Sequence, residues 1–206
     1  MFILIHLVGN LLLLFSDPLP FNTYAYHLHS LGGFLKVLEG GLATVFVVHI
    51  VMAIVVSRKN HQARPQAYAM TANAGGVSHK SAASDHMIYT GLLLLVFLVW
   101  HLQTFTYGPG ADQGYLTEIK GHQARDLYRL VSDVFAQPAY MLTYVAIMGF
   151  LGLHLRHGFA SAFQSLGIHH PRLSPAIHVT GVVVALLFAV GFIAIPVVVY
   201  LRSHGL

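Results

Sequence analysis

Polar residues in this chain gather in clusters, and five apolar segments run between them: Met1 to Phe15, Phe34 to Val56, Met87 to Tyr107, Pro138 to Leu155 and Ile177 to Leu201. A bilayer's hydrocarbon core is about 30 Å thick and takes roughly 20 helical residues to cross, so such segments read as transmembrane helices. The clusters carry helix-ending residues: Asp17-Pro18, Gly75-Gly76, Gly108-Pro109-Gly110, and His170-Pro171 to Pro175. None is long enough for a second domain, so residues 1–206 are expected to form one all-α membrane domain, a five-helix transmembrane bundle. The first segment is too short to span alone. A secretory signal is disfavoured, because no basic residues precede the segment and no small-residue cleavage site follows it. We expect a first helix whose beginning precedes Met1.

Composition agrees with that pattern. The 206 residues are 56% hydrophobic and 9% charged, with a mean hydropathy of +0.67, too apolar for a soluble domain. Cysteine is absent, which excludes disulfides, thiolate metal sites and cysteine-ligated iron–sulfur clusters. No basic stripe is present, so nucleic acid is not an expected partner. The loops after the second and fourth segments hold Arg58, Lys59, Arg64, Lys80, Arg156 and Arg172 against Asp85, and by the positive-inside rule they should be cytoplasmic. The opposite side carries Asp17, Asp112, Glu118, Asp126 and Asp133 with fewer basic residues. A multi-pass protein of a bacterial cytoplasmic membrane is expected.

Histidine is the outlier, with fifteen residues against seven acidic ones. Four lie inside the spans: His6, His49, His101 and His154. A single intramembrane histidine reads equally well as a helix–helix hydrogen-bonding group. Four on four helices favour axial ligation of two b-type haems, because neutral imidazole gives one nitrogen to iron and donates its other N–H. Bis-histidine haems carry electrons without binding oxygen. Glycines such as Gly9, Gly41, Gly91 and Gly152 would leave room for a porphyrin, although close helix packing also favours them. Glu39, the one carboxylate inside a span, is either an interface charge paired with Lys36 or a proton-carrying, quinone-bonding group. Tyr24, Tyr26, Tyr107, Tyr115 and Tyr200 read as an interfacial aromatic belt.

The runs His6-Leu7-Val8-Gly9-Asn10, Met87-Ile88-Tyr89-Thr90-Gly91 leading to Trp100-His101-Leu102, and Leu151 through Gly167 (LGLHLRHGFASAFQSLG) resemble the dihaem cytochrome b subunit of succinate dehydrogenase/fumarate reductase. The resemblance covers nearly the whole chain. It implies a five-helix anchor that binds two haems b at His6, His49, His101 and His154. It also implies electron exchange with a quinone, often menaquinone, in a complex with a flavoprotein and an iron–sulfur subunit. The dicarboxylate site lies on another chain. Arg58, Lys59, Arg64, Arg156 and Arg172 are candidate subunit contacts or haem-propionate partners. Ser84-Asp85-His86 stands where the family leads one to expect a basic residue.

Depth predicts the pairing. His49 lies about 10 Å above the inner end of its helix and His101 about 9 Å from the outer end of its own, so they do not share an iron. His6 pairs with His101 around an outer haem, and His49 with His154 around an inner one; His157, one turn beyond His154, is the alternative ligand. Two competing readings are a hydrogenase- or formate dehydrogenase-type cytochrome b and a histidine-lined proton or metal transporter.

Overall fold

The computed structural model describes residues 1–63, 87–168 and 170–206. Arg64, Lys80 and Ser84-Asp85-His86 lie outside the described residues. Helix α1 (Phe2–Asn10) runs into a 3-10 turn, Leu11–Leu14, and α2 (Leu19–Ser30) follows. Next come α3 (Gly33–Gln62) and α4 (Met87–His101), whose continuation Leu102–Thr106 is π-helical. Strands β1 (Leu116–Ile119) and β2 (His122–Arg125) precede α5 (Leu127–Phe135), α6 (Pro138–Ser165) and α7 (Ser174–Ser203).

Among the described residues four helices are long and apolar enough to cross a membrane: α3, α4 with its π turn, α6 and α7. This is the architecture of a multi-pass, all-α membrane protein with four candidate spans where five apolar segments suggested five. The first apolar segment, Phe2–Leu14, is shorter than a crossing. One face of it is packed, with Leu7 and Leu13 buried and Leu7 against Gly191 of α7, while Leu4, Ile5 and Val8 on the other face are exposed. The other helices outrun their apolar cores. Helix α3 continues through Ser57 to Gln62 because no proline or glycine interrupts that polar stretch. Helix α6 stops where Gly167 takes φ 75°, and the Ile168 N–H returns to the Phe163 carbonyl at 3.1 Å.

The stretch between α4 and α6 is more ordered than a loop. Its strands pair antiparallel, Leu116 opposite Arg125 and Ile119 opposite His122, across a tight turn in which Lys120 and Gly121 both have positive φ. Ile119 is buried. Helix α5 is short and amphipathic, burying Leu130, Val131 and Phe135. Together α2, the hairpin and α5 form a cap over one end of the bundle. The cap is pinned by buried polar groups: Asn22, 2% exposed, donates to Asp126 at 2.8 Å and accepts from the Tyr128 N–H at 2.9 Å. Asp126 in turn caps the N-terminus of α5 by accepting from the Arg129 N–H.

Among the described residues α6 and α7 share the largest interface, α4 packs on α6, and α3 makes no extensive contact with another element. No residue of α3 is buried. Exposed apolar residues such as Val45, Val47 and Val48 on α3 and Leu186, Leu187 and Val190 on α7 suit a lipid surround rather than water. Basic residues Arg58, Lys59, Arg156 and Arg172 fall at the end opposite the cap, with no acidic residue there among the described ones.

Asn22→Ala leaves the Tyr128 amide without its acceptor and Asp126 without a donor. Unmade buried hydrogen bonds of this kind cost about 1–3 kcal/mol. The variant's thermal unfolding midpoint in detergent is expected to fall accordingly.

Candidate cofactor-binding site

The four intramembrane histidines meet as two pairs. His6 of α1 and His101 of α4 have ring centroids 5.8 Å apart at an interplanar angle of 80°. His49 of α3 and His154 of α6 stand 6.3 Å apart at 74°. These are the pairs that depth predicted. His49 and His154 each come sixteen residues into a helix that starts at the capped end, which puts both about 24 Å down. Tyr144 touches His101 and His154 lies ten residues further along the same helix, so the pairs are separated by about 15 Å along the bundle.

The surroundings of the two pairs differ. The first pair is set among aromatic rings: Phe2 stacks on His6 at 5.3 Å, while Phe97 and Phe105 contact His101 at 5.5 and 5.3 Å. Tyr144, 5% exposed, brings its hydroxyl to 3.3 Å from His101 Nδ1. The π turn begins directly after His101, and such widened turns recur at functional positions. The second pair is more open. His49 is exposed on α3, and His154 Nδ1 lies 3.2 Å from the Thr90 hydroxyl. His157 is engaged elsewhere, 2.9 Å from Ser161 Oγ through Nε2.

The donor set fits bis-imidazole ligation of a metal. Metal–imidazole bonds of about 2.0–2.1 Å plus about 1.2 Å from nitrogen to ring centre set two axial rings about 6.4 Å apart. The observed 6.3 and 5.8 Å match that spacing or fall slightly short of it. In each pair one ring keeps Nδ1 on a protein hydroxyl, Thr90 or Tyr144, the outer-shell contact that orients a ligating histidine. Among the described residues no three His, Asp or Glu side chains converge on one point; two donors per site is the arrangement present.

The glycines divide. Gly91 faces His154, whose Cε1 lies 3.5 Å from where a Cβ would stand, and Gly41 faces open space. Gly9 is covered by the Tyr24 ring, and at Gly152 a Cβ would sit 2.9 Å from Ala189 Cβ. Helix packing therefore accounts for Gly9 and Gly152. Several belt tyrosines also have protein partners: Tyr26 stacks on His122, Tyr200 meets the tilted ring of His204, and Tyr115 donates to Asp133. That last bond holds the Tyr115 phenol above its ordinary pKa.

Arg156 is exposed near the uncapped end, two residues past His154, with no hydrogen bond among the described residues. Glu39 is exposed and pairs with Lys36 at 2.8 Å rather than with a histidine. Ten residues separate it from His49, about 15 Å along α3, which brings it to the depth of the first pair.

Thr90 and Tyr144 were not singled out by sequence. Thr90 stands one residue before Gly91 in a run marked for its resemblance alone, and Tyr144 is one of ten tyrosines with no motif around it. No protein-family model, curated protein or solved structure matches the chain.

Gly152→Val forces two methyl groups into the contact with Ala189. Overpacking of this sort costs about 1–3 kcal/mol. A lower thermal midpoint in detergent is expected.

Proposed function

We propose that the chain is the haem b membrane anchor of a succinate:quinone oxidoreductase, carrying electrons between an iron–sulfur subunit and membrane quinone. The observation that carries this reading is the meeting of four histidines from four helices as two facing pairs at two depths. The motif resemblance adds to it, since its ligand positions are the same four residues. Each haem b, when bound, supplies a one-electron couple with both axial positions filled. His6 and His101 would hold one iron and His49 and His154 the other, and the Gly41 side of α3 is unobstructed. Gly91 keeps α4 close to His154.

The basic end with Arg58, Lys59, Arg156 and Arg172 is the cytoplasmic face on the positive-inside rule. There the flavoprotein and iron–sulfur subunits dock, with exposed Arg156 a candidate subunit contact or propionate partner. Quinone, with menaquinone the expected species, binds at the depth of the first pair. Glu39, with Lys36 beside it, accepts the proton that quinol oxidation releases. A histidine-lined transporter is the reading from another class, and it requires a colourless protein. A reduced-minus-oxidised visible spectrum of the purified chain decides between them.

Single alanine variants are expected to fall into two spectral classes. His6→Ala and His101→Ala remove one haem signal, and His49→Ala and His154→Ala remove the other. Loss of the same haem in His49→Ala and His101→Ala would overturn the assignment. Glu39→Gln is expected to slow quinol-linked turnover with haem content unchanged. Unaltered quinone kinetics would leave Glu39 as the partner of Lys36 only.

A further inference from the structure

We propose that Thr90 is a positioning residue that fixes which nitrogen of His154 is free to bind iron. The assignment rests on the haem reading above and adds a determinant of electron affinity at the second pair alone.

A hydroxyl has one proton to donate and two lone pairs with which to accept. Thr90 Oγ1 donates its proton to the Met87 carbonyl, 3.0 Å away in the same helical turn. The same oxygen lies 3.2 Å from His154 Nδ1. With the hydroxyl proton already engaged, that contact is a hydrogen bond only if the proton sits on Nδ1. Neutral imidazole carries one N–H, so Nε2 is left with its lone pair exposed. The neighbouring Cε1 is also turned towards α4, 3.5 Å from the Cβ position of Gly91, so the Nδ1 edge is the one α4 holds.

The contact is stiff as well as directional. Threonine is β-branched, and in a helix its hydroxyl is held by a carbonyl one turn back. The oxygen that reads His154 is therefore placed by the α4 backbone. An imidazole whose N–H is hydrogen-bonded is the more basic ligand. It favours ferric over ferrous iron and holds the midpoint potential down. The first pair differs in where the hydroxyl proton goes: the Tyr144 phenol lies 3.3 Å from His101 Nδ1 and makes no other hydrogen bond among the described residues, so its proton is not already engaged and does not fix the His101 tautomer. Removing the Thr90 hydroxyl should then raise one midpoint and leave the other unmoved.

The test is a potentiometric titration of the intact membrane complex, following the haem bands of wild type, Thr90→Val and Thr90→Ser. Thr90→Val is expected to retain both haem signals and shift one midpoint upward. The shifted component should be the one lost in His154→Ala. Thr90→Ser, which restores the hydroxyl, should return it to the wild-type value. If Thr90→Val loses haem, Thr90→Ala is judged by the same criterion. Unmoved midpoints, or equal shifts in both components, overturn the assignment. A wild-type complex with no haem spectrum overturns the haem reading itself, and is told apart from those outcomes before any variant is made.

Discussion

An imidazole among apolar helices needs a partner at each nitrogen, because hydrocarbon offers none. Four such rings on four helices impose a demand that no single helix can meet. In this chain the demand is met in part and across helices: each ring faces one on another helix, and His154 and His101 hold Nδ1 against a hydroxyl of a third residue, while His6 and His49 make no side-chain hydrogen bond among the described residues. The separation between the pairs follows from helical rise along α6. The orientation of each pair follows from which helix delivers the hydroxyl.

The two pairs are held by different means. Around His6 and His101 the chain itself supplies the packing, with Phe97, Phe105, Phe135 and Tyr144 stacked edge to face. Such contacts contribute about 0.5–1.5 kcal/mol each beyond burial. His49 arrives on a helix with no buried residue and no extensive contact with another element. Its approach to His154 is one point at which α3 meets the bundle. A flat apolar group between α3 and α6 would complete that interface, and this is where the haem reading and the packing argument converge.

Two arginines tie the cap to the helices beneath. Arg202, at the end of α7, donates to the carbonyls of Leu13, Leu14 and Phe15 and to the Tyr128 hydroxyl, at 3.1, 2.6, 2.9 and 2.7 Å. It satisfies the carbonyls that the short first helix leaves open. Arg125 holds the chain just past α4, donating to the Thr106 carbonyl at the end of the π turn at 3.4 Å and to those of Gly108 and Pro109 at 3.1 and 2.9 Å. Burial lowers its pKa, and charge-assisted bonds to carbonyls offset that cost. The helix that carries His101 is thus stopped and anchored by a residue from the hairpin.

Hydrophobic runs, charge asymmetry and the positions of four histidines are one-dimensional properties, and they were legible in the chain. Length against bilayer thickness located the four long helices, and a rise of about 1.5 Å per residue was enough to sort the histidines by depth and so pair them. The cap was not legible: β1 and β2 are four residues each, too short for a periodic signal. The first segment's hydropathy could not say which of its residues pack on α7, and the structure picks out Leu7 and Leu13. The roles of Gly9 and Gly152 depended on whether a side chain from another helix filled the space beside them, and Tyr24 and Ala189 do. Thr90 and Tyr144 acquired their place beside His154 and His101 only through the crossing of α4 and α6. Periodicity and depth are set by the helix alone, whereas contact is set by the rotation of one helix against another, and that is decided by packing.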